Sequence, residues 1–116
     1  MKNFLAVYIG SAAGMDAWKK MDEEQRKPKE AAGMRAWQEW AQANAQAIVD
    51  MGGPLGKTKR VSKQGITDVR NEMGAYTVVQ AESHDAAAKL FENHPHFTIF
   101  PGDAIEVMER LPIPGM

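Results

Sequence analysis

A chain of 116 residues, 44% of them hydrophobic, has the material for one buried core, and dividing it would leave neither half a stable interior. Lys and Arg total 14 against 15 Asp and Glu, so no basic excess draws nucleic acid or an anionic membrane surface, and neither is expected as a partner. The absence of cysteine excludes disulfides, a thiol nucleophile and a thiolate zinc site.

With no apolar run near the length of a spanning helix and no leader pattern after Met1, a soluble, cytoplasmic protein is expected. Residues 3–9, NFLAVYI, are a short apolar run rich in strand formers, closed by Gly10. Phe4, Ala6 and Tyr8 are about as apolar as Leu5, Val7 and Ile9, so both faces of this strand should be covered, as in the middle of a sheet. Asp16 is expected to cap a short turn carrying Trp18 and Met21, and Asp22 with Gln25 gives a second capping signal that Pro28 then interrupts. From Lys29 to Met51 the spacing of Met34, Trp37, Ala41, Ala45 and Ile48 predicts one long amphipathic helix, stopped by Gly52-Gly53-Pro54. The glycines of residues 52–57 follow a helix and enter a strand, the reverse of a phosphate loop, and read as a turn.

Residues 56–62 and 66–70 around Lys63-Gln64-Gly65 predict a hairpin, and Ala75 to Ala81 a strand with a more apolar face. Lys57, Lys59, Arg60 and Lys63 are read as charges that keep an exposed edge from pairing with other chains rather than as an anion site. Ser83 caps a helix expected to run through Asn93, residues 104–110 form the last strand, and residues 111–116 an extended tail. The order predicts an α+β chain: one domain over residues 1–116, a ferredoxin-like split βαβ sheet with an extra hairpin and both helices on one face. The other face is left bare, which predicts a homodimer closed sheet against sheet.

The opening FLAVYIG, then AWQEW, GGPLGK, GITDVRNEMGAYTVVQAES, DAAAKLF, HP and AIEVMERLP run in the order of the YCII-related family, and the chain resembles its DGPF-like branch. The resemblance implies a dimeric α+β barrel, and it brings relatives implicated in removing halide from hydroxylated aromatics. In the YciI-like branch it implies a helix histidine paired with an aspartate; that helix position falls near Ala36 to Trp37, and no histidine precedes His84. Asp68 matches the aspartate that opens the other branch's motif, but Val69-Arg70-Asn71 replace its glycine, proline and phenylalanine.

The candidate catalytic residues are Asp68, His94 and His96. In ENHPHF a histidine near neutrality serves as a general base if Asp68 lies within hydrogen-bond reach, the alternative being that Asn93 and Pro95 merely end a helix. A metal site needs a third ligand, such as Asp68 or His84, and none is expected. Tyr8, Trp37 and Trp40 are the candidate ligand-binding aromatics; Trp37 lies in the apolar stripe and Trp40 at its flank, suited to a pocket rim or an oligomer contact. These features frame two functions: a cofactor-independent lyase or isomerase acting on a small polar or aromatic molecule, and a non-catalytic small-ligand-binding or interaction module.

Overall fold

The computed structural model describes residues 1–115; the last residue of the predicted tail, Met116, lies outside the described residues. Strands β1 (Lys2–Ile9), β2 (Ile48–Pro54), β5 (Met73–Ala81) and β6 (Ala104–Glu109) form an antiparallel sheet in the order β2-β5-β1-β6. This is the strand order of a split βαβ sheet, mixed α+β, and β1 lies inside it as its two apolar faces predict. Between β2 and β5, strands β3 (Thr58–Ser62) and β4 (Gly65–Val69) pair only with each other, in register from Thr58 opposite Val69 to Ser62 opposite Gly65. Lys59 stands opposite Asp68 and bonds it at 2.6 Å, but both are exposed, so the pair contributes at most about 1 kcal/mol.

Helices α1 (Ala12–Lys20), α2 (Glu23–Ala43), α3 (His84–Lys89) and α4 (Pro95–Thr98) follow the strands. Three boundaries before β3 differ from expectation. The first turn is a full helix capped by Ser11, whose Oγ accepts from Gly14 N at 3.0 Å, so Asp16 lies inside it. Asp22 does cap α2, yet Pro28 sits within that helix rather than interrupting it. Near the helix start proline forfeits only one bond, and Pro28 is exposed, so water can satisfy the carbonyl left over. The helix then ends at Asn44, whose amide side chain and backbone N–H both bond Trp40 O, and residues 48–54 are a strand. Ala45 and Ile48 continue the helical spacing by coincidence.

Gly52 is the reason the strand can exist there. Its φ is +69°, and a Cβ would collide with the carbonyl of Tyr76, so the chain bulges past β5 only with glycine at this point. Edge strands accept such irregularity, and Pro54 closes this one where no donor is needed.

Phe4, Ala6 and Tyr8 on β1 and Val79 and Ala81 on β5 face the helices and meet Ala87 and Phe91, all buried. Burying each large side chain contributes about 1.5–3 kcal/mol. On the other face Leu5 pairs with Val78 and Met108, and Val7 with Tyr76; among the described residues no helix covers them, and all but Val7 keep some exposure.

The α2 face turned toward the sheet is rotated by about one residue from the predicted stripe. Met34 is 54% exposed, whereas Gly33 is buried beneath the ring of Phe100, which a side chain at that position would strike. The rotation turns Trp40 inward with Trp37, and both pack on the core.

Candidate functional site

The helix capped by Ser83 ends at Lys89 with Leu90 as its C-cap, short of the expected Asn93; residues 90–93 form a turn, in which Asn93 takes a left-handed φ of 58°. The chain then turns directly into α4, with His94 as N-cap and Pro95 at its first position, where a missing N–H costs nothing. His94 Nδ1 accepts from His96 N at 3.0 Å, so this imidazole does the work usually given to serine or aspartate.

Sequence spacing cannot show that these two histidines face different ways. His94 is fully buried. Its ring lies 4.5 Å from Trp37 at 90°, 4.6 Å from Trp40 and 5.2 Å from Tyr8, with Phe91 beyond. Because Nδ1 accepts, the proton resides on Nε2, which is buried with no hydrogen-bond partner among the described residues. Burial, and then the His96 imidazole nearby, bring its pKa from 6.5 to about 4.

His96 is half-buried and lies over the edge of the Tyr8 ring at 5.3 Å. Its Nε2 is 2.8 Å from the carbonyl of Ile9. A carbonyl only accepts, so Nε2 carries a proton, and in the neutral ring Nδ1 keeps its lone pair; among the described residues no hydrogen bond occupies Nδ1. The backbone of Gly102 donates to His96 O at 2.9 Å, and any side chain at Gly102 would run into the imidazole. His96 therefore has its ring clamped by β1 on one side and the 101–103 turn on the other.

It forms one wall of a cleft of about 300 Å³, together with Tyr8, Ser11, Met15, Arg70 and Glu72. The α1 N-terminal turn opens into this cleft. Arg70, which lines it, lies 4.0 Å from Asp16 and is 64% exposed, leaving its guanidinium available to an anionic group. A separate open cleft of about 340 Å³ beside Lys57, Lys59 and Asn71 holds no histidine.

Tyr8 is the floor between the histidines. Its hydroxyl is 3.0 Å from Thr77 Oγ1, and Thr77 donates to the carbonyl of Met51 at 3.0 Å, so Tyr8 must donate to Thr77. Burial pushes the phenol up to about 12, only partly offset by the Thr77 bond, and Tyr8 stays neutral. Trp37 packs on Tyr8 at 4.9 Å, and Trp40 donates from Nε1 to Leu90 O at 2.7 Å. Trp40 is thus an interior anchor holding the α3–α4 turn, where its position in the sequence suggested a rim.

The structure does not join Asp68 to the histidines within one chain. Its carboxylate is bonded to Lys59 on the hairpin. His84 bonds the carbonyl of Val107 at 2.7 Å and stacks on Phe4, away from the other two. Among the described residues no three His, Asp or Glu side chains converge as metal ligands. The residues that sequence reading missed are Ser11, Arg70, Gly102 and Phe100; a glycine inside a helix at Gly33 and one beside Pro101 were the available signals of close approach.

No protein-family model matches the sequence, and no curated protein matches it. Among solved structures, 5-chloro-2-hydroxyhydroquinone dehydrochlorinase (TftG) from Burkholderia phenoliruptrix AC1100, in complex with 2,5-dihydroxybenzoquinone, is similar with a TM-score of 0.54 and 21% sequence identity. The similarity covers 95% of this chain and 93% of that one, so it extends over the whole sheet and its helices. It establishes that the two chains share an α+β fold.

Proposed function

We propose that this protein is a cofactor-independent lyase or isomerase acting on a small, anionic or phenolic molecule, with His96 as the group that takes up a proton. One observation carries this reading: the Ile9 carbonyl locks His96 in the tautomer whose free Nδ1 belongs to a residue lining an open cleft. Arg70 and the α1 N-terminal turn supply the positive side of that cleft, suited to a phenolate or enolate as charge develops. The fold shared with a dehydrochlorinase supports the choice of hydroxylated aromatics as first substrates, as does the motif order resembling YCII-related proteins. In a net loss of HCl from a chlorinated hydroquinone the two hydroxyl protons leave and their O–H electron pairs become the C=O bonds of the quinone, while the chlorine-bearing carbon takes up a proton and chloride departs with the C–Cl electron pair. Asp68 needs no role in this scheme.

The test is incubation with chlorinated and unchlorinated hydroxyhydroquinones, reading chloride release and the uptake of solvent deuterium into ring positions. Turnover above the buffer rate that disappears in His96→Ala supports the reading; binding without either product overturns it. That second outcome would instead establish the small-ligand-binding module, which the lack of a histidine near Ala36 to Trp37 favours.

We also infer a homodimer. The uncovered sheet face with Leu5, Tyr76, Val78 and Met108 is suited to a second copy of the same face, isologous about a two-fold axis. Light scattering after size exclusion at micromolar protein is expected to give twice the mass of one 12.8 kDa chain, and a stable monomer would refute the interface.

A further inference from the structure

We propose that His94 is a positioning residue for His96, acting as a hydrogen-bond acceptor that aims the neighbouring imidazole rather than as an acid or base itself. The inference rests on His96 as the working group, but its geometry stands apart from any turnover. His94 is fully buried and does not line the cleft that His96 walls, so it has no route to a substrate there. Its Nδ1 is committed to the His96 backbone N–H, and its Nε2–H is enclosed by aromatic rings. Four elements set this arrangement: α2 through Trp37 and Trp40, β1 through Tyr8, the α3–α4 turn through Phe91, and α4 itself.

The consequence for His96 is mechanical. Four residues of α4 cannot hold themselves, because so short a helix has no full set of internal bonds. The N-cap bond from His94 fixes the backbone of His96, the Gly102 amide fixes its carbonyl, and the Ile9 carbonyl fixes its ring. Only the first of these depends on a side chain other than that of His96 itself. That side chain is selective for one protonation state, since a proton on Nδ1 would turn the acceptor into a second donor facing the His96 N–H. The titratable groups packed against His94 are Tyr8 and His96, and neither brings a negative charge that would favour the protonated form. A neutral, Nε2-protonated His94 is the condition for a correctly aimed His96.

Two substitutions separate acceptor from bulk. His94→Phe keeps a ring in the aromatic cage and removes the acceptor; His94→Asn restores an acceptor at the N-cap and gives up the ring. In His94→Phe the His96 amide is expected to exchange with solvent about tenfold faster, the loss of one hydrogen bond. Its Nε2-protonated tautomer should also lose its dominance in long-range proton–nitrogen spectra. His94→Asn is expected to restore both relative to His94→Phe. Unchanged His96 tautomer and exchange in His94→Phe, or no recovery in His94→Asn, would overturn the proposal. Should either variant fail to fold, the unsubstituted protein still decides: its spectrum must show His94 unprotonated at Nδ1, and a proton there is incompatible with the bond. Because these readouts need no substrate, they remain decisive even if no reaction is found; a perturbed tautomer with undiminished kcat would refute His96 as base and leave its positioning by His94 intact.

Discussion

His96→Ala is expected to lower kcat by roughly 10²–10⁴-fold, the usual worth of a positioned general base, with KM changed much less. The split follows from geometry. In the proposed reaction Nδ1 of His96 would meet the substrate as the proton moves, whereas binding would draw on other residues of the cleft, Arg70, Ser11, Met15 and the floor formed by Tyr8. The fold should survive, because His96 contributes one side-chain hydrogen bond to Ile9 O and an edge contact with Tyr8. Losing that bond costs about 1 kcal/mol, a few degrees in Tm for a domain of this size. His96→Gln tests the base directly, since it offers an amide that can still donate toward Ile9 O but has no lone pair of comparable basicity. It is expected to be as inactive as alanine while recovering part of the lost stability. Activity within a few-fold of the unsubstituted protein in either variant would remove His96 from the chemistry.

Much of the fold is legible because its strands announce themselves locally. Residues 3–9, 75–81 and 104–110 combine apolar alternation with glycine or polar ends, and each is a strand within two residues of the predicted bounds. The hairpin is equally local: Gly65 takes a φ of +109° after a two-residue turn. The β2 strand was hidden because Ala45 and Ile48 prolong a three-and-four spacing that only Asn44 contradicts. Its pairing with β5 depends on Tyr76 and Val79, which lie far along the chain. The phase of α2 was hidden for a related reason. An apolar arc wider than its core contact can turn by one residue, and what fixes it is Phe100 seated over Gly33.

The site shows the same limit. ENHPHF could be singled out from composition, but it does not end the helix, which stops at Lys89; Asn93 lies in the turn that follows and Pro95 opens α4. The division of labour between the histidines needs Ile9, which is 87 positions from His96 in sequence, and Trp37 and Trp40, which enclose His94 from another helix. A pair of histidines two residues apart looks equivalent until one is seen to face a carbonyl and the other an aromatic cage.

The buried member of the pair gives the protein a specific acid sensitivity. In the unfolded chain His94 titrates near its ordinary 6.5, and in the fold near 4, so between those values the unfolded state binds a proton that the native state does not. Stability is therefore full above about pH 6.5 and falls as pH drops toward 4, by about 1.4 kcal/mol per pH unit at most and roughly 3 kcal/mol in all. Below that window both states are protonated and His94 adds no further loss. For a domain whose total stability is of order 5–15 kcal/mol, this one imidazole is a large share. Urea unfolding at pH 7 and pH 5, at fixed protein concentration, samples the range above most carboxylate titrations and should show a decrease of about 2 kcal/mol. In His94→Phe, which has no group to protonate there, the same comparison should lose most of that decrease. Equal pH dependence in the two proteins would mean that His94 takes up a proton in the native state as readily as in the unfolded one, which its enclosure by Trp37, Trp40 and Tyr8 does not permit.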